Sequence, residues 1–441
     1  MYIKLSIRNA RRLAFDYILY ILSMVMLICI SCFSNYIANL GELQAGFQTM
    51  ALPLLTALIM VVLTDHINTY IVRQRAKEFA TYMLLGMEKG RLSFVFLCEL
   101  LIVGMLCFLL GVILGTGIFF IYCCVILRGA ENPSMPGIIL KSVLQTLVYF
   151  GFVEVSSILF LKGKIYKLQI VQLMREKQRN QPLRENKKSF WSWVLTISFF
   201  SYLILLSGIS FMPDRRVAVC ISFISIPILL CVFSFYKCLY AFAASIRLSQ
   251  KDILYQGSLL YQLAEMTTGT KTGANLNTVF GICLLFSAGS FVFGLLLIDP
   301  AIPIFEHAAQ QWMGFLQICI CIIFMVLYFF ILSMLQIIDL KREARNIRLL
   351  FQMGKNQTEL KLLLCTQMLA KLLLPTLMSF IVLFAATPFV NHKLNSILPV
   401  SACDFTLKAV SGFTICFFSL YVCYFYAVYI VAKGYIRFNT K

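Results

Sequence analysis

Arg73-Gln74-Arg75-Ala76-Lys77-Glu78, followed by Leu84-Leu85-Gly86 and then by Leu97-Cys98-Glu99-Leu100-Leu101, is one copy of a pattern that this chain carries twice. The second copy begins 268 positions later, as Lys341-Arg342-Glu343-Ala344-Arg345, then Gln352-Met353-Gly354, then Cys365-Thr366-Gln367-Met368-Leu369. Setting Gly86 on Gly354 places Lys77 on Arg345, Leu92 on Leu360 and Glu99 on Gln367, whereas Glu78 falls on Asn346. Each copy reads as a long apolar run, a basic amphipathic stretch, a glycine and a second long apolar run. Similarity at a fixed offset is a message about architecture first. It predicts two related membrane units, each with a short helix at one membrane face, over about 73–90 and 341–356. A glycine at the end of each stretch would permit a tight turn into the next span. A motor outside the membrane would push at such a place.

Working outward, the composition agrees. The chain is 60% hydrophobic and 13% charged over 441 residues, more apolar surface than a soluble fold could hide. A spanning helix needs about 20 apolar residues. Ten candidate spans are read near 13–34, 48–71, 93–126, 137–161, 191–211, 217–240, 277–298, 313–338, 360–390 and 405–432. The runs are unbroken, which argues against a β-barrel alternating over about 10 residues. The expectation is an all-α polytopic membrane protein. It comprises a first unit, 1–161, a basic linker, 162–190, a middle helix pair with an amphipathic segment, 191–276, and a second unit, 277–441.

The net charge of +19 would suggest nucleic acid on a soluble protein. Here its placement points to the membrane. Lys4, Arg8, Arg11 and Arg12, the 73–91 stretch, the cluster from Lys162 to Lys188, the 341–348 stretch and Lys433, Arg437 and Lys441 fall on alternate loops of one side. This positive-inside bias predicts cytoplasmic termini in a plasma membrane, with the basic residues meeting lipid headgroups and no nucleic acid. Residues 1–12 read as an interfacial basic segment. Asn180-Gln181-Pro182 reads as a turn within the linker. Gly111-x-x-x-Gly115 reads as a helix-contact face.

Several chemistries have no material. No Gly-x-x-x-x-Gly-Lys-Ser/Thr run is present, so the chain is not expected to hydrolyse ATP itself. His66, His307 and His392 are scattered, and no zinc or serine-hydrolase motif occurs, so neither catalytic residues nor a metal site is expected. The 16 cysteines fall almost entirely inside spans; Cys29 and Cys32, one helical turn apart, read as packing residues. Ionisable or strongly polar residues inside spans are costly and therefore worth naming. Glu99, Gln367, Lys371 and Glu154 are the candidates, with Asp65 and His66 nearer an interface. They form either a polar path or helix-orienting contacts.

The paired basic stretches, each followed by Leu-Gly or Met-Gly and then Glu/Gln-Leu-Leu or Gln-Met-Leu, resemble the permease domain of FtsX-like ABC transporters of the MacB superfamily. The opening Ile7-Arg8-Asn9-Ala10-Arg11-Arg12 with Asp16-Tyr17-Ile18-Leu19-Tyr20 is similar to the bacitracin-type, BceB-like subgroup, as is the ten-span layout with a middle pair. The resemblance implies two four-helix units and a partner, a cytoplasmic P-loop ATPase dimer. ATP and Mg would be bound by that partner and no cofactor by this chain. Arg75, Lys77, Glu78 and Gly86 with Arg342, Glu343, Arg345 and Gly354 would couple ATPase motion to the spans. The subgroup acts on cell-wall-directed peptide antibiotics or their lipid-linked targets, often beside a sensor histidine kinase. Its members usually carry a large extracellular domain between spans seven and eight; here that position holds only 299–312, so a second permease could supply the dome.

The expected function is thus a permease subunit that exports an amphipathic substrate or removes it from the membrane. The alternatives are a non-transporting transducer of ATPase motion, which would want an outer receptor domain, and an ion-driven secondary transporter. The latter would want clustered carboxylates and broken helices at midplane.

Overall fold

A computed structural model describes residues 14–41, 47–126, 135–166, 188–211, 214–249, 270–299, 307–354, 356–397 and 405–439. Every regular element among them is an α-helix. They are α1 (Ala14–Gly41), α2 (Phe47–Gln74), α3 (Ala76–Leu84), α4 (Lys89–Ile126), α5 (Met135–Tyr166), α6 (Lys188–Phe211), α7 (Asp214–Ser249), α8 (Thr270–Ile298), α9 (His307–Gln352), α10 (Gln357–Ile397) and α11 (Phe405–Asn439). All but the nine-residue α3 are long, from 24 residues in α6 to 46 in α9. Nine of the long helices are apolar enough to cross a membrane; α2, with 28 residues, completes the ten expected positions. In hydrocarbon the backbone N–H and C=O groups must be paired within the segment, so apolar runs of this length coil. The protein is an all-α polytopic membrane protein. The basic segment 1–12, most of the linker 162–190, residues 250–269 and the outer-loop residues 300–306 lie outside the described residues.

The helices outrun the expected spans. At about 1.5 Å per residue α9 is about 69 Å long, more than twice a hydrocarbon core of about 30 Å. It therefore carries the expected eighth span and the second basic stretch as one rod, whereas the first copy divides between α2 and α3. The helix α8 begins at Thr270, within a Thr-rich stretch.

The described residues divide into two compact units, 1–180 and 181–441. In the first, α1 packs against α2, α4 and α5. A Cβ on Gly111 would lie 2.7 Å from the Ile28 side chain and 3.1 Å from the Val25 carbonyl oxygen. One on Gly115 would lie 2.9 Å from Cys32 Cβ and 3.1 Å from the Cys29 carbonyl oxygen. The two glycines thus bring the α4 backbone onto α1, and Cys29 and Cys32 serve that seam. Between membrane helices close approach matters because dispersion, not water release, holds them together. Polar side chains add glue: Asn35 donates to Thr146 at 2.7 Å, Asn39 to Ser142 at 2.6 Å, and Asn68 to Ser157, fastening α5 to α1 and α2.

Gly111→Leu is expected to overpack this seam at a cost of about 1–3 kcal/mol, read as a lower melting temperature of the detergent-solubilised chain. Gly117→Leu, on the same helix where a Cβ meets nothing within 4 Å, is expected to leave it unchanged. Equal melting of the two variants would refute close packing at Gly111.

In the second unit α8 pairs with α9, and α10 receives α6, α7, α8 and α11. Pro375 sits inside α10 and lacks an N–H, which leaves a gap in the helical ladder. Tyrosine hydroxyls donate to carbonyls of this region: Tyr236 to Pro375 at 2.6 Å, Tyr421 to Leu372, and Tyr202 to Val382 at 2.9 Å. These bonds add side-chain donors from neighbouring helices to carbonyls around the proline and give α10 polar contacts within the unit.

Candidate functional site

The two glycines end their helices in the same way. Gly86 has φ +90° and Gly354 φ +89°, a left-handed conformation that costs a residue with a Cβ about 1–2 kcal/mol. The Gly86 N–H donates to the Met83 carbonyl at 3.1 Å and the Met87 N–H to the Tyr82 carbonyl at 3.0 Å. That pair of bonds is a Schellman motif, which satisfies the last carbonyls of α3. In the second copy the Gly354 N–H donates to the Phe351 carbonyl at 3.0 Å, and the Met353 N–H to Leu349 at 3.0 Å, as Leu85 does to Thr81 at 3.0 Å. The next helix opens alike, with Leu92 bonding Glu88 at 3.0 Å and Leu360 bonding Asn356 at 3.1 Å. In these three pairs of bonds each donor and acceptor is displaced by the 268 positions of the sequence repeat. The tip of each turn is apolar and open: Leu85 is 79% exposed and its counterpart Met353 81%.

Behind the first turn lies a buried ion pair. Arg75 is 4% exposed and Glu99 1%. The Arg75 Nη1 sits 3.0 Å from Glu99 Oε2, and its Nε donates to Glu78 Oε2 at 2.8 Å. The guanidinium carbon lies 5.5 Å from the Phe79 ring centroid and 5.6 Å from that of Phe96, and the two rings meet edge to face at 5.1 Å. A small crevice between α3 and α4 is lined by these residues with Tyr82, Met87, Leu92 and Val95. The backbone at Arg75, φ −93° and ψ 12°, interrupts the passage from α2 to α3 without ending its hydrogen bonds, since Arg75 N still bonds Ile71 at 2.9 Å. Removing one partner of such a pair strands the other charge, which makes the contact costly to break.

Sequence reading assigns Arg75 to a surface that meets a partner and Glu99 to the spans; the structure joins them. The spacing holds the signal. Two helices folded back at Met87 set residues equidistant from it side by side. Arg75 and Glu99 both stand 12 positions away, and Phe79 with Phe96 nearly match.

The same fold-back in the second copy carries different side chains. Ile347 and Leu364 stand where Phe79 and Phe96 stand, and they are buried together with Leu360, Met368 and Ala432. Glu343 takes the position of Arg75 and Gln367 that of Glu99. Gln367 is 3% exposed, and its amide nitrogen and oxygen have no hydrogen-bond partner among the described residues. Lys77 lies in α3, and Arg342, Glu343 and Arg345 lie in α9; their side chains are outside the described residues.

The remaining polar candidates stay apart from the turns. Glu154, on α5, is 7% exposed among apolar neighbours, and one oxygen would lie 2.8 Å from a Cβ on Gly104 of α4. It continues a buried face of α5 that also presents Ser142, Thr146 and Ser157. Lys371 is half-buried one turn after Gln367, before Pro375. Asp65 and His66 are half-buried on α2. The described residues bring no three His, Cys, Asp or Glu side chains together as a metal site.

Residues 50–161, which run from α2 to α5 and contain the first turn and its ion pair, match the family model described as FtsX-like permease C-terminal. No curated protein matches the chain. The match covers residues 50–161 of 441 and is a likeness of that stretch to an FtsX-like permease domain.

Proposed function

We propose, starting from the FtsX-like permease stretch at residues 50–161, that this chain couples a cytoplasmic P-loop ATPase dimer to the export or membrane removal of an amphipathic substrate. The substrate class is an antimicrobial peptide or its lipid-linked target, and the setting a bacterial plasma membrane with both termini inside. The observation that carries the reading is the repeated turn. Two left-handed glycines with matching backbone bonds present Leu85 and Met353, exposed apolar tips that the two subunits of an ATPase dimer could each receive. One chain holding both turns suits one ATPase dimer. The basic residues of the 73–91 and 341–348 stretches put both turns on the inner side by the positive-inside rule. ATP and Mg bind the partner. The peptide part of the proposal rests on the resemblance of the segment Ile7–Tyr20 to bacitracin-type permeases.

The test is purification of the full chain from its native membrane in mild detergent, with its companions identified. A stoichiometric P-loop ATPase whose hydrolysis rises with a peptide antibiotic is expected. A second permease in the complex would identify the source of the outer domain. A companion set without any ATPase, repeated with crosslinking before solubilisation, would end the proposal.

A further inference from the structure

Laid on each other by the 268-residue offset, the helices after the two turns, α4 and α10, bury matching faces along most of their length and differ on one stripe. On α10 the stripe is Leu374, Met378, Val382, Ala385, Ala386 and Phe389, and it packs under the α6–α7 hairpin. Met378 is 4% exposed and Val382 2%, in one cluster with Tyr202, Leu206, Val232 and Tyr236. On α4 the same positions are Leu106, Leu110, Leu114, Gly117, Ile118 and Ile121. The leucines and isoleucines are 47% to 65% exposed, and a Cβ on Gly117 would meet nothing within 4 Å.

Apolar exposure by itself carries no message on a membrane helix, since lipid tails are as apolar as leucine. The comparison carries one. Leu109 with Leu377, and Ile113 with Ile381, are exposed in both copies and mark the lipid-facing side of each helix. The stripe differs: one repeat has it covered by helices and the other has it bare.

The chemistry of the stripe narrows the occupant. From Leu106 to Ile121 it runs about 23 Å at about 1.5 Å per residue, most of a hydrocarbon core of about 30 Å. It holds no charged or hydrogen-bonding side chain, so it suits a membrane-spanning segment and not a surface domain. Small residues at helix contacts let backbones approach, because packing rather than water release holds membrane helices together. Gly117 stands where Ala385 packs against the hairpin cluster. A glycine inside a helix weakens that helix, and no neighbour among the described residues uses the space that Gly117 opens. A second copy of this chain brings no free hairpin. Its own has Tyr202, Leu206, Val232 and Tyr236 buried, with the Tyr202 hydroxyl donating to the Val382 carbonyl at 2.9 Å.

We infer that this stripe of α4 is a docking surface for a membrane-spanning helix hairpin of a different protein, seated as α6–α7 sits on α10. The inference stands on the repeat and its packing, and not on the coupling reading above.

The test places the photoreactive residue benzoylphenylalanine in the full chain, in the membrane of the cells that make it. Leu110 and Leu114 are the stripe positions; Leu109 and Ile113 are the flanking controls. All four side chains are exposed, so the replacements leave the fold intact. The expected result is an adduct of discrete mass at Leu110 and Leu114 and none at the controls, with crosslinked peptides from two consecutive spanning segments of one other protein. Gly117→Leu is expected to abolish the adduct at Leu110 while the melting temperature of the solubilised chain stays unchanged, since a Cβ there meets nothing of this unit within 4 Å. No adduct at either stripe position, adducts with lipid alone, or equal yields at stripe and control positions would overturn the inference. So would peptides from this chain, whether from its second unit or a second copy, or from a protein with a single span. An adduct that survives Gly117→Leu at full yield would place the partner elsewhere on α4 and end the assignment of this stripe.

Discussion

Glu99→Leu alone is expected to lower the stability of the first unit by about 3–5 kcal/mol, whereas Glu99→Leu together with Arg75→Met is expected to cost far less. The reason is the burial of the pair. With Glu99 gone, the Arg75 guanidinium, 4% exposed, keeps Glu78 at its edge and the faces of Phe79 and Phe96. Glu78 is 42% exposed and screened by solvent, and a ring face is worth about 0.5–2 kcal/mol. Neither replaces a carboxylate at 3.0 Å in an apolar crevice. With both charges gone, nothing is stranded, and Met and Leu fill comparable volume. Thermal unfolding of the full chain in detergent, followed by intrinsic fluorescence and by loss of the monodisperse peak on gel filtration, reads the difference. A single substitution that melts like the double would mean that the pair is solvated in the membrane and that its burial carries no penalty.

This contrast also separates what could be read from the residues and what could not. The ten long helices follow from runs of apolar side chains too long for any other spanning structure, and the observed α1, α2 and α4 to α11 stand where those runs stand. Their ends differ because hydropathy stops at the membrane surface and hydrogen bonds do not. α9 carries on through the charged residues 341–348 to Gln352, since after Gly314 no glycine or proline occurs before Gly354. α7 likewise extends to Ser249. The two left-handed turns were legible because Gly is the residue that enters that conformation freely and the same spacing occurs twice. The partner of Arg75 was not read, because a charge in a basic stretch is assigned to water unless something specific faces it. What faces it comes from another helix, 24 residues on, and only the fold-back point at Met87 relates the two. Gln367 is the converse case. Its alignment with Glu99 was visible, but the loss of the cation at Glu343 becomes meaningful only once Arg75 is seen to hold Glu99.

Gly86→Trp is expected to abolish permease-dependent ATP hydrolysis while the chain still inserts and folds, and Gly354→Trp to do the same. A Cβ on either glycine meets nothing within 4 Å, so the side chain starts from open space beside the exposed Leu85 or Met353. The cost to the fold is then the left-handed backbone alone, about 1–2 kcal/mol, too little to unfold a multi-helix unit. The cost to a partner seated on the apolar tip is steric and complete. Asparagine, which tolerates this conformation, supplies the control: Gly86→Asn keeps the turn with a small side chain and is expected to keep most of the activity. Hydrolysis is measured on the purified complex, and retention of the ATPase is measured on the same preparation. Full activity with tryptophan at both positions would remove the turns from the coupling path and leave the glycines as helix ends only. Loss of activity in the asparagine variant equal to that in the tryptophan variant would show that backbone conformation, and not contact with a partner, is what the glycines supply.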